Sequence, residues 1–208
     1  LDEQGLFIAF VAAGGVAATV TEWLRWWWNV PPNPWAMTVF GILCCLYSFI
    51  KFRKLIPIVR QLKLGIEGER SVADILNDEL RGSKVVHDIL CDGFNVDHVV
   101  IDRTGIYSIE TKARRKSGGA EEQVIYDGEK LLVGGFEPDR DAIAQAQANA
   151  KAVAQILYGR TGKRVQVQPV VLFPGWFVVV KTKRPAVWVL NPKMLRSEMK
   201  RIPVSLSD

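Results

Sequence analysis

Residues 95–112, NVDHVVIDRTGIYSIETK, decide how the chain is read. Two apolar strands flank Asp102-Arg-Thr-Gly105, a composition suited to a tight turn. If the loop has two or four residues, Ile101 faces Ile106, Val99 faces Ser108 and Asp97 faces Glu110. A three-residue loop makes the two acids diagonal neighbours instead. Carboxylates directly opposite lie with Cβ atoms about 4.5–5.5 Å apart, a pairing that destabilises a sheet. Lys112 is two residues beyond Glu110, so its side chain leaves the same face. Two acids and a lysine on one patch need something to offset the repulsion. A hard divalent cation does so, and Mg²⁺ prefers one or two carboxylates plus substrate phosphate. The plain alternative is an internal Lys112 salt bridge on a solvated sheet face.

Upstream, a helix is expected from about Glu67 to Leu80. Its stripe of Glu69, Val72, Ala73, Leu76 and Leu80 puts a third acid at the edge of an apolar face. Such an acid needs a partner or a metal, unless it is a solvated residue favoured by the helix dipole. Strands are expected at Val85–Leu90, Val96–Ile101 and Ile106–Thr111. A hairpin is signalled by Asp127-Gly128. A helix over Asp141–Leu157 follows, then strands at Val165–Phe173 and Ala186–Leu190. A last helix has Asn191 as N-cap and Pro192 at its first position. Strand-rich middles between helices predict an α/β domain with a mixed sheet, not a doubly wound parallel one.

The first third of the chain is different. Residues 6–24 carry one charge, Glu22, and residues 34–50 carry none. Roughly 20 residues of helix cross a bilayer, so the two runs are expected to form a transmembrane hairpin. Trp23, Trp26, Trp27, Trp28 and Trp35 crowd the break between them, as interfacial rings do, and Pro31, Pro32 and Pro34 supply the turn. Gly14, Gly15 and Gly41 would let the helices approach closely. Lys51, Arg53, Lys54, Arg60 and Lys63 follow the second run, against Arg25 alone between the runs. Basic flanks stay cytoplasmic, which predicts two spans in the cell (inner) membrane with the C-terminal domain in the cytoplasm. The expected organisation is a membrane hairpin over residues 1–54, a basic linker over 55–64 and the α/β domain over 65–208.

Composition removes other classes. Of 208 residues, 49% are hydrophobic, which excludes a disordered chain, and three cysteines build no disulfide framework. The net charge of +5 is divided unevenly: residues 1–64 hold six Lys/Arg and three Asp/Glu, leaving 21 against 19. Bulk basicity therefore says nothing about nucleic acid; only local clusters can.

Gly65-x-x-Gly68-Glu69, Asn95-Val-Asp97-His98-Val-Val100 and Gly105-Ile-Tyr-Ser-Ile-Glu110-Thr-Lys112, in this order, resemble the nuclease-related (NERD) domain over about residues 65–175. Gln145-Ala-Gln-Ala-Asn149 resembles that family's later helix motif. The resemblance implies a restriction-endonuclease-like fold and a Mg²⁺- or Mn²⁺-dependent nuclease with an Asp…Glu-x-Lys core. It makes Glu69, Asp97 and Glu110 metal-side acids, Lys112 the catalytic lysine and Gln145 an accessory group. DNA is favoured over RNA as partner by the same likeness. The helical phase puts Gln147 and Asn149 nearer the apolar stripe than Gln145.

Arg114, Arg115 and Lys116 follow the core at once and precede Ser117-Gly118-Gly119; they are placed to grip phosphates, or else form a solvated basic loop. Gly159-Arg-Thr-Gly162-Lys163 lacks the spacing of a P-loop and reads as a helix end. His87 and His98 read as structural. The expected activity is phosphodiester hydrolysis by a membrane-anchored enzyme. The competing class is a membrane-tethered nucleic-acid-binding or scaffold module without turnover.

Overall fold

A computed structural model describes residues 3–31, 34–91, 93–116, 122–138 and 141–204, excepting the side chains of 3–9, 12, 34, 36 and 37. The chain divides into two compact units, Leu1–Arg60 and Gln61–Asp208; the division falls inside the stretch read as a linker.

The first unit holds helix α1 (Glu3–Trp27) and the leading part of α2 (Pro34–Glu79). Gly14 faces the Phe40 ring so closely that a Cβ there would lie 2.7 Å from Cζ, while Phe10 and Tyr47 stack with centroids 5.5 Å apart. Gly15 and Gly41, expected to act likewise, face open space: nothing lies within 4 Å of their Cβ positions. Between the helices the Arg25 guanidinium donates to the Pro31 carbonyl at 2.7 Å and Asn29 takes a left-handed φ of 50°. Pro32, assigned to this turn, lies outside the described residues. No described side chain of this unit is buried, and all five of its tryptophans are exposed. Among the described residues no helix is long and apolar enough to cross a membrane; the side chains of residues 6–9, at the head of the first expected span, are not among them.

The expected helix start near Glu67 is corrected. Helix α2 runs without a break from Pro34 to Glu79, with Pro57 inside it. Residues 51–66 are rich in Lys, Arg and Leu, good helix formers, and the lost donor and ring clash of Pro57 do not end the helix.

The second unit follows the expected order. After α2 come β1 (Lys84–Cys91), β2 (Phe94–Asp102), β3 (Gly105–Thr111), β4 (Gln123–Tyr126) and β5 (Leu131–Val133). Then come α3 (Ala142–Thr161), β6 (Val167–Leu172), β7 (Phe177–Val180), β8 (Trp188–Leu190), a 3-10 turn (Pro192–Met194) capped by Asn191, and α4 (Leu195–Met199). The main sheet has the order β1-β2-β3-β6-β8, with antiparallel pairing up to β3 and parallel pairing after it. It is the mixed sheet that the pattern predicts. A second sheet, β5-β4-β7, was not foreseen beyond its hairpin, because β7 (FVVV) has no polar alternation to announce it.

Helices cover both faces of the main sheet. Val72, Leu76 and Leu80 of α2 pack with Val100, Tyr107 and Ile109, while Ala150 and Val153 of α3 pack with Val99 and Ile106. From Val99 through β3, alternation sends neighbouring residues to opposite helices. One glycine sets how closely α2 approaches. A Cβ on Gly68 would overlap the Cβ of Ala113, just past β3. Gly68→Ala is therefore expected to cost about 1–2 kcal/mol, as overpacking outweighs the gain in helix propensity. Ala113→Gly should restore most of that loss; a chemical-denaturation series on the four variants measures it.

Candidate functional site

The β2–β3 pairing decides where the acids fall. Ile101 pairs with Ile106, Val99 with Ser108 and His98 with Ile109, so the loop has two residues, Arg103 and Thr104. Asp102 closes this turn by accepting from the Thr104 amide at 2.9 Å and hydroxyl at 2.7 Å. Beyond His98 and Ile109 lie Asp97 and Glu110, the latter on the face that α3 covers, where Asn149 reaches it. The Asp97 carboxylate accepts the Thr111 amide at 2.7 Å through Oδ2.

Glu110 is buried, only 3% exposed, and both its oxygens are engaged. Oε1 accepts from the Lys112 ammonium at 2.7 Å, and Oε2 accepts from the Asn149 amide at 2.8 Å. Lys112 donates a second hydrogen bond to Gln145 Oε1 at 2.9 Å. The internal Lys112 salt bridge weighed from the sequence is thus present, together with a partner that the resemblance alone had suggested. Helix α3 supplies both polar residues from one face because Asp141 caps it, accepting from the Ile143 and Ala144 amides and setting its phase. The helical reading is half corrected: Asn149 is buried, whereas Gln147 is exposed and Gln145 reaches Lys112. Asn149 was absent from the expected site. Its signal was a polar residue in the apolar stripe of Ala146, Ala150 and Val153.

Negative charge accumulates here. Burial, and after it the charge of Glu110, push the Asp97 carboxyl up to about 6, against the opposing Thr111 hydrogen bond and Lys112. Glu69, half-buried on α2, is also pushed up, first by burial and then by Asp97 and Asp88, with Lys112 opposing. The stripe expectation holds: Val72, Leu76 and Leu80 are buried and Glu69 sits at their head, beside Gly68. Asp88 is a further acid that the sequence did not single out. In β1 it lies between the pairs His87–His98 and Ile89–Val96, hence across from Asp97. Its φ of 51° is a left-handed conformation that Asp tolerates better than most residues. Long-range pairing of β1 with β2 is what makes it a neighbour, and no local pattern reports that.

Among the described residues no group of three or more His, Cys, Asp or Glu side chains is placed to hold a metal ion. The donor chemistry nonetheless suits a hard cation that also draws on substrate. Asp97 and Glu110 are oxygen donors, and Asp97 carries charge that Lys112 does not fully offset.

Beyond Lys112 the chain leaves the sheet. Arg114 and Arg115 are exposed, and the Arg114 carbonyl accepts from the buried Trp176 indole at 3.1 Å. Lys116, expected to be free for phosphate, pairs with Glu122 at 3.2 Å. Ser117, Gly118 and Gly119 lie outside the described residues. His98 is buried with its Nδ1 2.8 Å from that of His87, and burial with that neighbour holds its pKa down to about 4. Facing Ile109, it sits on the α2 side of the sheet, away from Glu110, as expected of a structural residue. Gly162 ends α3 in a left-handed conformation, so the P-loop-like stretch is a helix cap.

A family model described as nuclease-related domain matches residues 64–174, more than half of the chain and all of the residues around Lys112. No curated protein and no solved structure matches.

Proposed function

The chain belongs to the nuclease-related domain family, and from that premise we propose that it is a membrane-anchored, metal-dependent nuclease of restriction-endonuclease-like type, acting on DNA at the cytoplasmic face. The observation that carries this reading is the convergence of Asp97, Glu110 and Lys112 at one end of the mixed sheet, with Gln145 on the lysine. Asp97 and Glu110, with Glu69, would hold Mg²⁺ or Mn²⁺, whose charge polarises a phosphate and acidifies bound water. Lys112 has three N–H donors, and Glu110 and Gln145 take two. The third is left for a phosphate oxygen or the attacking water, where a fixed cation stabilises charge as it develops. Asn149 holds the Glu110 carboxylate in place from the other side. Arg114 and Arg115, both exposed, would carry the phosphates that flank the scissile one. The purified chain should cut DNA with Mg²⁺ or Mn²⁺ and stop with EDTA. Binding without cleavage under either metal would instead establish the tethered binding module. That second reading draws on Glu110, both of whose oxygens are already engaged within the protein.

The membrane part of the proposal rests on what the first unit leaves uncovered. Phe10, Val11, Val16, Val20, Leu24, Val39, Phe40, Ile42, Leu43, Leu46, Phe49 and Ile50 are all exposed, and the buried apolar core begins only at Val72. So large an apolar surface needs lipid or a partner to cover it. The full chain should resist carbonate extraction from membranes, and external protease should spare the domain; release by carbonate would contradict the anchor.

A further inference from the structure

The second sheet has one buried face and one half-buried face with an exposed ring at its end. Val124, Tyr126, Leu131 and Val133 are buried against Ala142 and Ala146 of α3, with Val178 and Val180 beside them. By alternation, Ile125, Leu132, Phe177 and Val179 point the other way. At one end of this outer face Phe177 is 69% exposed and pairs with Gln123. The Gln123 carbonyl accepts from the Gly134 amide at 3.0 Å, and Val133 bridges to Phe136, itself 78% exposed. Val133 belongs to the covered face and paired residues project to the same side, so Phe136 stands apart from the outer face, whose exposed ring is Phe177.

That end adjoins the basic segment. Phe177 follows Trp176, whose indole is bonded to the Arg114 carbonyl, and Lys116 lies over the Trp176 ring at 6.0 Å. Glu122, the acid next to Gln123, is neutralised by Lys116, which leaves Arg114 and Arg115 as exposed charges in the segment that adjoins Trp176 and Phe177.

We infer that Phe177 is a stacking surface for an unpaired base whose phosphates lie on Arg114 and Arg115, so that the chain acts on single-stranded DNA or single-stranded ends. This rests on the nuclease reading and names its substrate class. A duplex keeps its base faces stacked inside and offers a protein only edges and phosphates, whereas a single strand has base faces free for aromatic rings. Arg114 stands two residues from Lys112, so a strand held there leads to the carboxylates.

The test measures binding of the full chain in detergent, in EDTA so that nothing is cut, by fluorescence anisotropy. The probes are a 20-nucleotide oligothymidylate and a blunt 20-base-pair duplex. Phe177→Ala should weaken oligothymidylate binding roughly tenfold and leave duplex binding unchanged, while Phe177→Trp keeps single-strand affinity. Arg114→Ala with Arg115→Ala should weaken both probes and flatten the salt dependence. Equal loss on both probes, or none on either, from Phe177→Ala overturns the inference and leaves the nuclease reading standing. Self-association of the chain that Phe177→Ala abolishes, with single-strand binding intact, overturns it in favour of a second copy on this face. An unaltered chain that binds neither probe overturns the nuclease reading and this inference together.

Discussion

Lys112→Ala should reduce cleavage by at least about 100-fold, since it removes a cation held where charge develops on the phosphate. DNA affinity should change little, because one cation among several phosphate contacts is a small part of binding. The same substitution has a structural cost. It strips the donor from Glu110 Oε1 in a side chain that is 4% exposed, leaving a buried carboxylate half-paired. Lys112→Ala should therefore lower the melting temperature too, and adding Glu110→Gln should recover much of it by removing the charge. Neither variant should cut. Recovery of stability without activity separates the two roles of the lysine; cleavage by the double variant would show that neither side chain belongs to the chemistry.

Asp97→Asn should do the opposite to stability while also ending cleavage. The Asp97 carboxyl titrates near 6, above its ordinary value, because it is buried beside Glu110. A raised carboxylate pKa means the folded state holds its proton longer than the unfolded chain does. The ionised form therefore costs stability above the folded pKa, and the cost fades as pH falls through 6 towards 4. At pH 7.5 and without divalent metal, the asparagine variant should be more stable by about 1–3 kcal/mol, or about 3–8 °C in Tm. Asparagine retains an oxygen for the Thr111 amide, so the hydrogen bond at Oδ2 survives. Near pH 4 the two proteins should melt alike. Mn²⁺ should raise the Tm of the unaltered chain and not that of the variant. A destabilised variant at pH 7.5 would mean that Asp97 is held by its hydrogen bond and that its charge costs nothing.

Much of the site could be read from one hairpin because its register depends on local signals. The Asp102–Gly105 turn and the alternation of Val99, Ile101, Ile106 and Ser108 suffice to bring Asp97 towards Glu110 and to send Lys112 to the same face. The Glu69 stripe was legible for the same reason, since a helical period of 3.6 is a local property. What escaped was set at long range. Asp88 becomes a neighbour only when β1 pairs with β2, and Asn149 meets Glu110 only when α3 lies on the sheet. The β5-β4-β7 sheet depends on β7 returning to pair in parallel with β4 from more than 50 residues away, and nothing in Phe177–Val180 names that partner. The unbroken α2 illustrates the reverse case. A basic cluster suggested a linker before the helix, while the residues within it favour helix throughout.

Binding of a divalent ion by the carboxylate pair decides between a nuclease and a binding module. Crystals of the chain soaked in Mn²⁺ and measured at a wavelength where manganese scatters anomalously answer this directly. One ion is expected between Asp97 and Glu110, at ligand distances of about 2.0–2.2 Å and coordinated by water on its open side. The Lys112 ammonium should remain beside it, and the Asp97→Asn variant should lose the anomalous peak. Crystals saturated with Mn²⁺ that show Glu110 still held by Lys112 and Asn149, with no ion at Asp97, would contradict a metal-dependent nuclease at this site.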